Sequence, residues 1–204
     1  VIAPFYRDIS EQTALEALYG HYVKTYEAWK QAGIKVPPCF IVVCNNTSTS
    51  KLVYDYISGF ERENKDGTAT PVPGRLELFR NFDEHGNPLA RPNTLLIDSE
   101  QLESGEALDD NFRGMAADEI ERFRREIIER TGDRKQAESI TDQDLLREVM
   151  NTVGKEGRLG EQIRCVVSVS MLTEGWDANT VTHILGVRAF GTQLLCEQVI
   201  GRAL

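Results

Sequence analysis

Two short polar segments near the end of the sequence carry the residue types best suited to chemistry. Glu174-Gly175-Trp176-Asp177 follows the apolar run Ile163–Val169, and Gln198-Val199-Ile200-Gly201-Arg202 follows a second apolar run. Gly175 lets a backbone approach a ligand closely, and Asp177, beyond the end of a strand, can accept hydrogen bonds from hydroxyl groups. Taken alone, the first segment is more typical of a solvent-facing turn, and the second of a surface helix. Together, at this spacing, they form a specific pattern.

The two segments resemble motifs V and VI of superfamily 2 helicases and translocases. The intervening Phe190-Gly191-Thr192-Gln193 makes the pattern most similar to the restriction subunit of type III restriction enzymes. The resemblance implies the second RecA-like lobe of such a motor, with the parallel, doubly wound α/β sheet of P-loop NTPases flanked by helices. We therefore expect one domain over residues 1–204, with an irregular insertion at about 61–160.

The resemblance also implies the roles of the residues in these motifs. Arg202 would neutralise charge on the γ-phosphate of ATP, because a guanidinium supplied by a facing domain can bind phosphate bidentately. Gln198, one helical turn earlier, would sense the nucleotide phosphates or their attacking water. Gly175, Asp177 and Gly201 would contact ATP. A lone surface arginine in a salt bridge remains the structural alternative for Arg202.

A third polar segment resembles motif IV, which contacts nucleic acid. Asn46, Thr47 and Ser48 lie between an apolar run and a helical pattern, with Lys51 one turn later. Hydroxyls and backbone N–H groups at a helix N-terminus can bind a phosphate, although ordinary helix capping explains these residues equally well. Ser168 and Ser170, which lead into motif V, are the other expected DNA contacts. The sequence does not decide which of the two faces outward.

The resemblance defines the expected partners and cofactors of the whole protein. It implies double-stranded DNA, ATP, and Mg²⁺ held by a first RecA-like lobe that is missing here, so this lobe alone is predicted to be inactive. It also implies a nuclease domain and a possible methyltransferase subunit. Cys39, Cys44, Cys165 and Cys196 form no C-x-x-C pair and are predicted to be buried thiols in a reducing cytoplasm. No apolar run approaches the roughly 20 residues of a membrane span, so no membrane role is expected.

The net charge of −9 seems at first to argue against DNA. However, residues 98–150 contain 16 acidic and 8 basic side chains, which accounts for −8 of that charge. We therefore expect this acidic stretch to face away from any phosphate backbone. An alternative of a different class is a RecA-like scaffold without motor activity, which docks a protein partner on the acidic stretch.

The elements that must position these residues follow from apolar periodicity. A first helix is predicted from an N-cap at Ser10 to Gly33, and a capping box at Thr141 and Asp144 predicts another helix. Residues 61–93 are punctuated by Gly, Pro and Asn around the short alternating segment Leu76-Glu77-Leu78-Phe79, and they are predicted to be an irregular insertion with one hairpin. Continuous apolar runs predict buried parallel strands at Cys39–Cys44, Thr94–Asp98, Ile163–Val169 and Val181–Val187.

Two further segments only imitate nucleotide-binding motifs. Asp83-Glu84-His85 resembles the Asp-Glu motif that binds magnesium in nucleotide hydrolases. It is surrounded by turn residues, however, so we predict a turn. Gly154-Lys155 lacks the spacing of a phosphate-binding loop. His183 lies within an apolar run and is predicted to be a hydrogen-bonded core histidine rather than a metal ligand.

Overall fold

A computed structural model describes residues 9–97, 117–169 and 179–187. The fold is α/β, with a four-stranded, all-parallel sheet that has helices on both faces. In chain order the elements are α1 (Ile9–Gln31), β1 (Cys39–Cys44), α2 (Thr47–Ser58), β2 (Gly59–Glu63), β3 (Ala69–Pro73), a 3-10 turn (Glu77–Phe79), β4 (Thr94–Ile97), α3 (Ala117–Thr131), α4 (Arg134–Glu138), α5 (Asp142–Asn151), β5 (Cys165–Val169) and β6 (Val181–Val187). None of the described helices is both long and apolar enough to cross a membrane.

The parallel sheet is built around β1. Its strand order is β4-β5-β1-β6, and all six residues of β1 are buried. A strand covered on both faces has no solvent side, which explains why its sequence is continuously apolar rather than alternating. Phe40 and Val42 face one layer of helices, whereas Ile41 and Val43 face the other.

The first layer, which we call the aromatic face, consists of α1, α2 and the 3-10 turn. The rings of Tyr22 and Phe79 lie 4.6 Å apart, and both also pack on Phe40. The Tyr22 hydroxyl donates to the Pro38 carbonyl at 2.8 Å, which satisfies the polar end of a fully buried side chain. Burial raises the pKa of Tyr22 above its ordinary value.

The second layer, which we call the aliphatic face, consists of α3 and α5. Leu145 and Leu146 of α5 pack with Ile120 of α3 on the sheet. Three glutamates of the acidic stretch are neutralised by ion pairs across this layer. Arg158 bridges Glu126 and Glu148, and Arg91 pairs with Glu119.

The amino end of β4 is tied to α2 by one side-chain amide. Asn81 donates to the Tyr54 hydroxyl at 2.9 Å and the Thr94 carbonyl at 2.8 Å, and accepts from the backbone N–H groups of Asn93 at 2.8 Å and Thr94 at 2.9 Å. Its own N–H donates to the carbonyl of Ser58 at the end of α2. The loop before β4 is therefore held in one shape by a residue with all of its amide atoms paired.

Several predicted elements agree with the structure. β1 and β6 have the predicted bounds, and Thr141 and Asp144 form the predicted capping box. Cys39, Cys44 and Cys165 are buried, free thiols, as expected, and Cys196 lies outside the described residues. Asp83 forms the predicted turn, because its carboxylate accepts from the N–H groups of His85 and Asn87.

Other predictions need correction. Ser10 lies within α1 rather than at its N-cap, and β5 begins at Cys165 rather than at Ile163. The alternating segment Leu76–Phe79 is not a strand, because Glu77–Phe79 forms a 3-10 turn after an extended Leu76. Leu76 and Phe79 are buried and Glu77 is exposed, so the i, i+3 spacing of a 3-10 turn, and not strand alternation, explains the pattern.

The expected hairpin is present. It is formed by β2 and β3, which lie almost entirely within the range 61–93 where it was predicted. Within the range 61–160, β4 pairs with β5 and α5 packs in the core. His183 is only half-buried. It stacks on Phe40 with ring centroids 5.6 Å apart and shares a 2.8 Å hydrogen bond with the Thr182 hydroxyl, and burial lowers its pKa.

Candidate functional site at the carboxyl end of the sheet

Three neighbouring strands end at the same level of the sheet. In the register of the sheet, Cys44 of β1 lies opposite Val169 of β5 on one side and opposite Val187 of β6 on the other. Cys44 ends β1, and Val169 and Val187 are the last residues of β5 and β6 that the structure describes. The described parts of these strands therefore end at adjacent points on one edge, and such carboxyl edges are where open α/β sheets bind ligands.

The edge at β1 is built by the start of α2. Asn46 is the N-cap, in extended conformation, and its carboxamide oxygen accepts from the N–H of Thr49 at 2.8 Å. Its amide nitrogen donates to the Asn45 side chain at 2.8 Å. Capping, the structural interpretation of this segment, is thus confirmed, and it fixes the direction of the helix N-terminus.

The first turn of α2 is polar and open to solvent. Asn45, Asn46, Thr47 and Ser48 are all exposed, and the turn carries no acidic residue. A helix N-terminus carries a partial positive charge, so hydroxyls and free N–H groups in this position favour an anionic ligand. The sequence interpretation omitted Asn45. Its signal was available, because it is the first residue after a buried strand.

Lys51 adds a positive charge one turn further along α2. Its ammonium group pairs with Asp55 at 3.0 Å and lies 5.4 Å from the centroid of the Tyr54 ring. The Lys51 side chain is 59% exposed, so this surface pair is weak and the ammonium can turn toward a ligand. Burial raises the pKa of Asp55, and Lys51 opposes that shift.

Ser168 lies in the interior, unlike the residues of α2. It is fully buried on β5, where it pairs in register with Val43 and Ile97, and its side chain shares their aliphatic face. Its hydroxyl has no hydrogen-bond partner within the described residues. The structure thus places this predicted DNA contact in the core, one residue before the end of its strand.

The remaining predicted site residues, which are Ser170, Gly175, Asp177, Gln198, Gly201 and Arg202, lie outside the described residues. In the sequence, Ser170 directly follows Val169, the last described residue of β5, and the segment that carries Arg202 follows Val187, the last described residue of β6.

The described part of the acidic stretch lies on the other side of the sheet from α2. Its helices α3 and α5 cover the aliphatic face, whereas α2 packs on the aromatic face. The first turn of α2 is therefore separated from these carboxylates by the sheet, as expected for a phosphate-binding surface. Among the residues that the structure describes, no group of three or more His, Cys, Asp or Glu side chains could hold a metal ion.

Comparison with known proteins gives no relative. No protein-family model, no curated protein and no solved structure matches this chain.

Proposed function

We propose that this chain is the second RecA-like lobe of an ATP-dependent double-stranded DNA translocase, of the kind found in type III restriction enzymes. In this proposal the carboxyl edge of the sheet serves two ligands. Asn46, Thr47, Ser48 and Lys51 bind the DNA backbone. The segments that follow β5 and β6 reach ATP at the interface with a first lobe.

The main support for the proposal is that the described ends of three neighbouring strands lie side by side at one edge of the sheet. The three motif-like segments are far apart in sequence, yet β5, β1 and β6 are neighbours and end opposite one another at Val169, Cys44 and Val187. Each strand leads into one of the three segments. A motor lobe needs its nucleotide and DNA contacts on one edge so that one movement of the lobe changes both. The sheet order supports such an arrangement.

The proposed DNA contact is supported by the first turn of α2. Its exposed Thr47 and Ser48 hydroxyls lie at the positive end of a twelve-residue helix, and Lys51 supplies a cation nearby. These groups bind phosphate without reading bases, as a translocase that moves along any sequence requires. Ser170 is proposed as an additional contact. Ser168 is retained only if its buried hydroxyl becomes accessible in the DNA complex.

The proposed ATP contacts are assigned by resemblance. Asp177 and Gly175 would approach the nucleotide after β5, whereas Gln198, Gly201 and Arg202 would do so after β6. Arg202 would stabilise the charge that develops on the transferred phosphoryl group. Mg²⁺ would be held by the first lobe. The nuclease domain, the methyltransferase subunit and the cytoplasmic location belong to the same proposal.

The test is DNA-stimulated ATP hydrolysis by the intact protein that joins this chain to a first lobe. We expect Arg202→Ala to lower the turnover rate by about a thousandfold or more, the scale reported for removal of an arginine finger. Arg202→Lys should recover little, because an ammonium group cannot form the bidentate contact. Arg134→Ala is the matched control, since Arg134 is exposed on α4.

The outcome that opposes the proposal is also specific. Unchanged ATP turnover in Arg202→Ala, with normal turnover in Arg134→Ala, would remove the catalytic assignment. Robust ATP hydrolysis by this chain alone would contradict the proposed division of the site between two lobes.

A further inference from the structure

The β2–β3 hairpin contributes no residue to either of the two core clusters. Its register runs from Gly59 opposite Pro73 to Glu63 opposite Ala69, and most of its residues are exposed. It is rooted at the amino end of the sheet, because the Ser58 carbonyl accepts from Asn81. A two-stranded hairpin alone is marginally stable in water, so contacts outside the strand pairing must help to hold its shape.

Both ends of the hairpin are tightly built. At the base, Gly59 has a φ of 93°, and a Cβ on Gly74 would lie 2.1 Å from the carbonyl oxygen of Ile57, so no side chain fits there. At the tip, the Asn64 amide donates to the hydroxyls of Thr68 at 2.9 Å and Thr70 at 2.8 Å. The hairpin therefore presents its two edges in a fixed orientation.

One backbone contact shows which cross-strand pairs of the hairpin are hydrogen-bonded and which are not. The N–H of Asn64 donates to the Thr68 carbonyl at 2.8 Å, which makes these residues a hydrogen-bonded pair in the same register as the strands. Antiparallel pairs alternate, so Glu61 and Glu63 lie at non-hydrogen-bonded positions of β2. Pro71 and Pro73 occupy the same kind of position on β3, where no N–H is needed for the ladder.

The two outer edges of the hairpin therefore differ. On β3, the outward-facing positions include Pro71 and Pro73, which have no N–H to offer. On β2, Glu61 and Glu63 retain outward N–H and C=O groups, and both residues are exposed. Within the described part of the chain, β2 pairs only with β3. One edge is closed to a further strand, whereas the other is open.

We propose that the free edge of β2 accepts an extended segment of a partner protein by strand addition, and that this segment carries Lys or Arg at alternate positions. Glu61 and Glu63 project from the same face of β2, two residues apart. They would lie beside every second side chain of an added strand, where opposite charges stabilise the pairing. This inference does not depend on the proposed motor function.

The same glutamates disfavour a second copy of this chain as the occupant. In the fully overlapped antiparallel pairing of two β2 strands, Glu61 of one copy faces Glu61 of the other. Like charges directly opposite each other destabilise a strand pair. A basic segment from another protein meets no such repulsion.

The probe for this edge is a short capped peptide in which lysine alternates with threonine. Titrated into the ¹⁵N-labelled 204-residue chain, it should shift the backbone amide resonances of Glu61 and Glu63 most strongly. A peptide with glutamate in place of lysine should bind at least about tenfold more weakly. The Lys65→Ala variant should bind the lysine peptide normally, since Lys65 lies in the tip.

Two variants separate the backbone contribution from the charge contribution. Glu61→Pro removes an N–H that points away from β3, at the non-hydrogen-bonded position opposite Pro71, so the hairpin should persist. Its affinity for the lysine peptide should be about tenfold lower than that of Glu61→Ala, which keeps the N–H. The double variant Glu61→Lys and Glu63→Lys should prefer the glutamate peptide. Unchanged affinity in Glu61→Pro, amide shifts confined to other surfaces, no binding of either peptide, or dimerisation through β2 would each overturn the proposal.

Discussion

The two ends of the parallel sheet are built in opposite ways. At the amino end, polar groups are hydrogen-bonded to one another within the fold. The N–H of Cys39 donates to Thr180, that of Phe40 donates to Arg164, and Asn81 pairs all of its amide atoms. At the carboxyl end, Asn45 to Ser48 are exposed around a helix N-terminus. Polar residues at the first end stabilise the fold. At the second end Asn46 caps α2 and donates a hydrogen bond to Asn45, whereas the exposed Thr47 and Ser48 are placed to meet a ligand.

The largest effect on stability is expected from Asn81→Ala at the amino end. The substitution removes four hydrogen bonds and leaves the N–H of the buried Thr94 without its acceptor. We expect a loss of about 3 kcal/mol in the free energy of unfolding, measured by urea denaturation. Asn151→Ala is the matched control, because Asn151 is exposed at the end of α5. Equal stability of the two variants would show that Asn81 does not hold the amino end together.

Tyr22→Phe should have the next largest effect. It removes the bond from the buried hydroxyl to Pro38 and should cost about 1 to 2 kcal/mol. Burial raises the pKa of Tyr22, so above pH ~10 the unfolded chain releases a proton that the folded chain retains, and the stability of the wild type falls. Tyr22→Phe should lose less stability than the wild type between neutral and strongly alkaline pH. If Tyr22→Phe lost as much unfolding free energy as the wild type over this pH range, this account would be contradicted.

At the carboxyl end, Asn46→Ala should cost about 1 kcal/mol, because it removes the N-cap of α2. Asn45→Ala provides the control, since Asn45 does not cap the helix, and should change stability by less than about 0.5 kcal/mol. Asn46→Asp should keep the cap. If Asn45→Ala were the more damaging variant, the division of roles at this edge would be wrong.

The smallest effect on stability is expected from Lys51→Ala. The exposed pair with Asp55 contributes about 0.5 kcal/mol or less. If the edge binds DNA, the same change should make the slope of log affinity against log salt concentration shallower by about one unit. Fluorescence anisotropy of the intact protein with labelled DNA measures this slope. Lys65→Ala, on the hairpin, should leave that slope unchanged.

The sequence predicted what local patterns determine. The runs of β1 and β6 and the capping box at Thr141 and Asp144 depend on neighbouring residues, and the structure has them. The hairpin was expected in the right region, but the bounds of its strands were not predicted, for a physical reason. Pro71 and Pro73 normally argue against a strand, but here they occupy positions that need no N–H.

The features that depend on distant partners were not predictable from one sequence. The order of β4, β5, β1 and β6 determines which segments meet at the carboxyl edge, and no local signal contains it. The inward direction of Ser168 depends on the register of β5 between Val43 and Ile97. The position of Asn81 among Tyr54, Asn93 and Thr94 likewise appears only when the loop and strands are assembled.

The most direct test of the proposed DNA surface compares photo-crosslinking from the two ends of the sheet. In the intact protein, a benzophenone amino acid would replace Ser48 at the carboxyl end or Ile34 at the amino end, both of which are exposed. We expect crosslinks to duplex DNA from position 48 and background labelling from position 34. Crosslinks from position 34 with none from position 48 would contradict the assignment of the carboxyl edge as the DNA-binding surface.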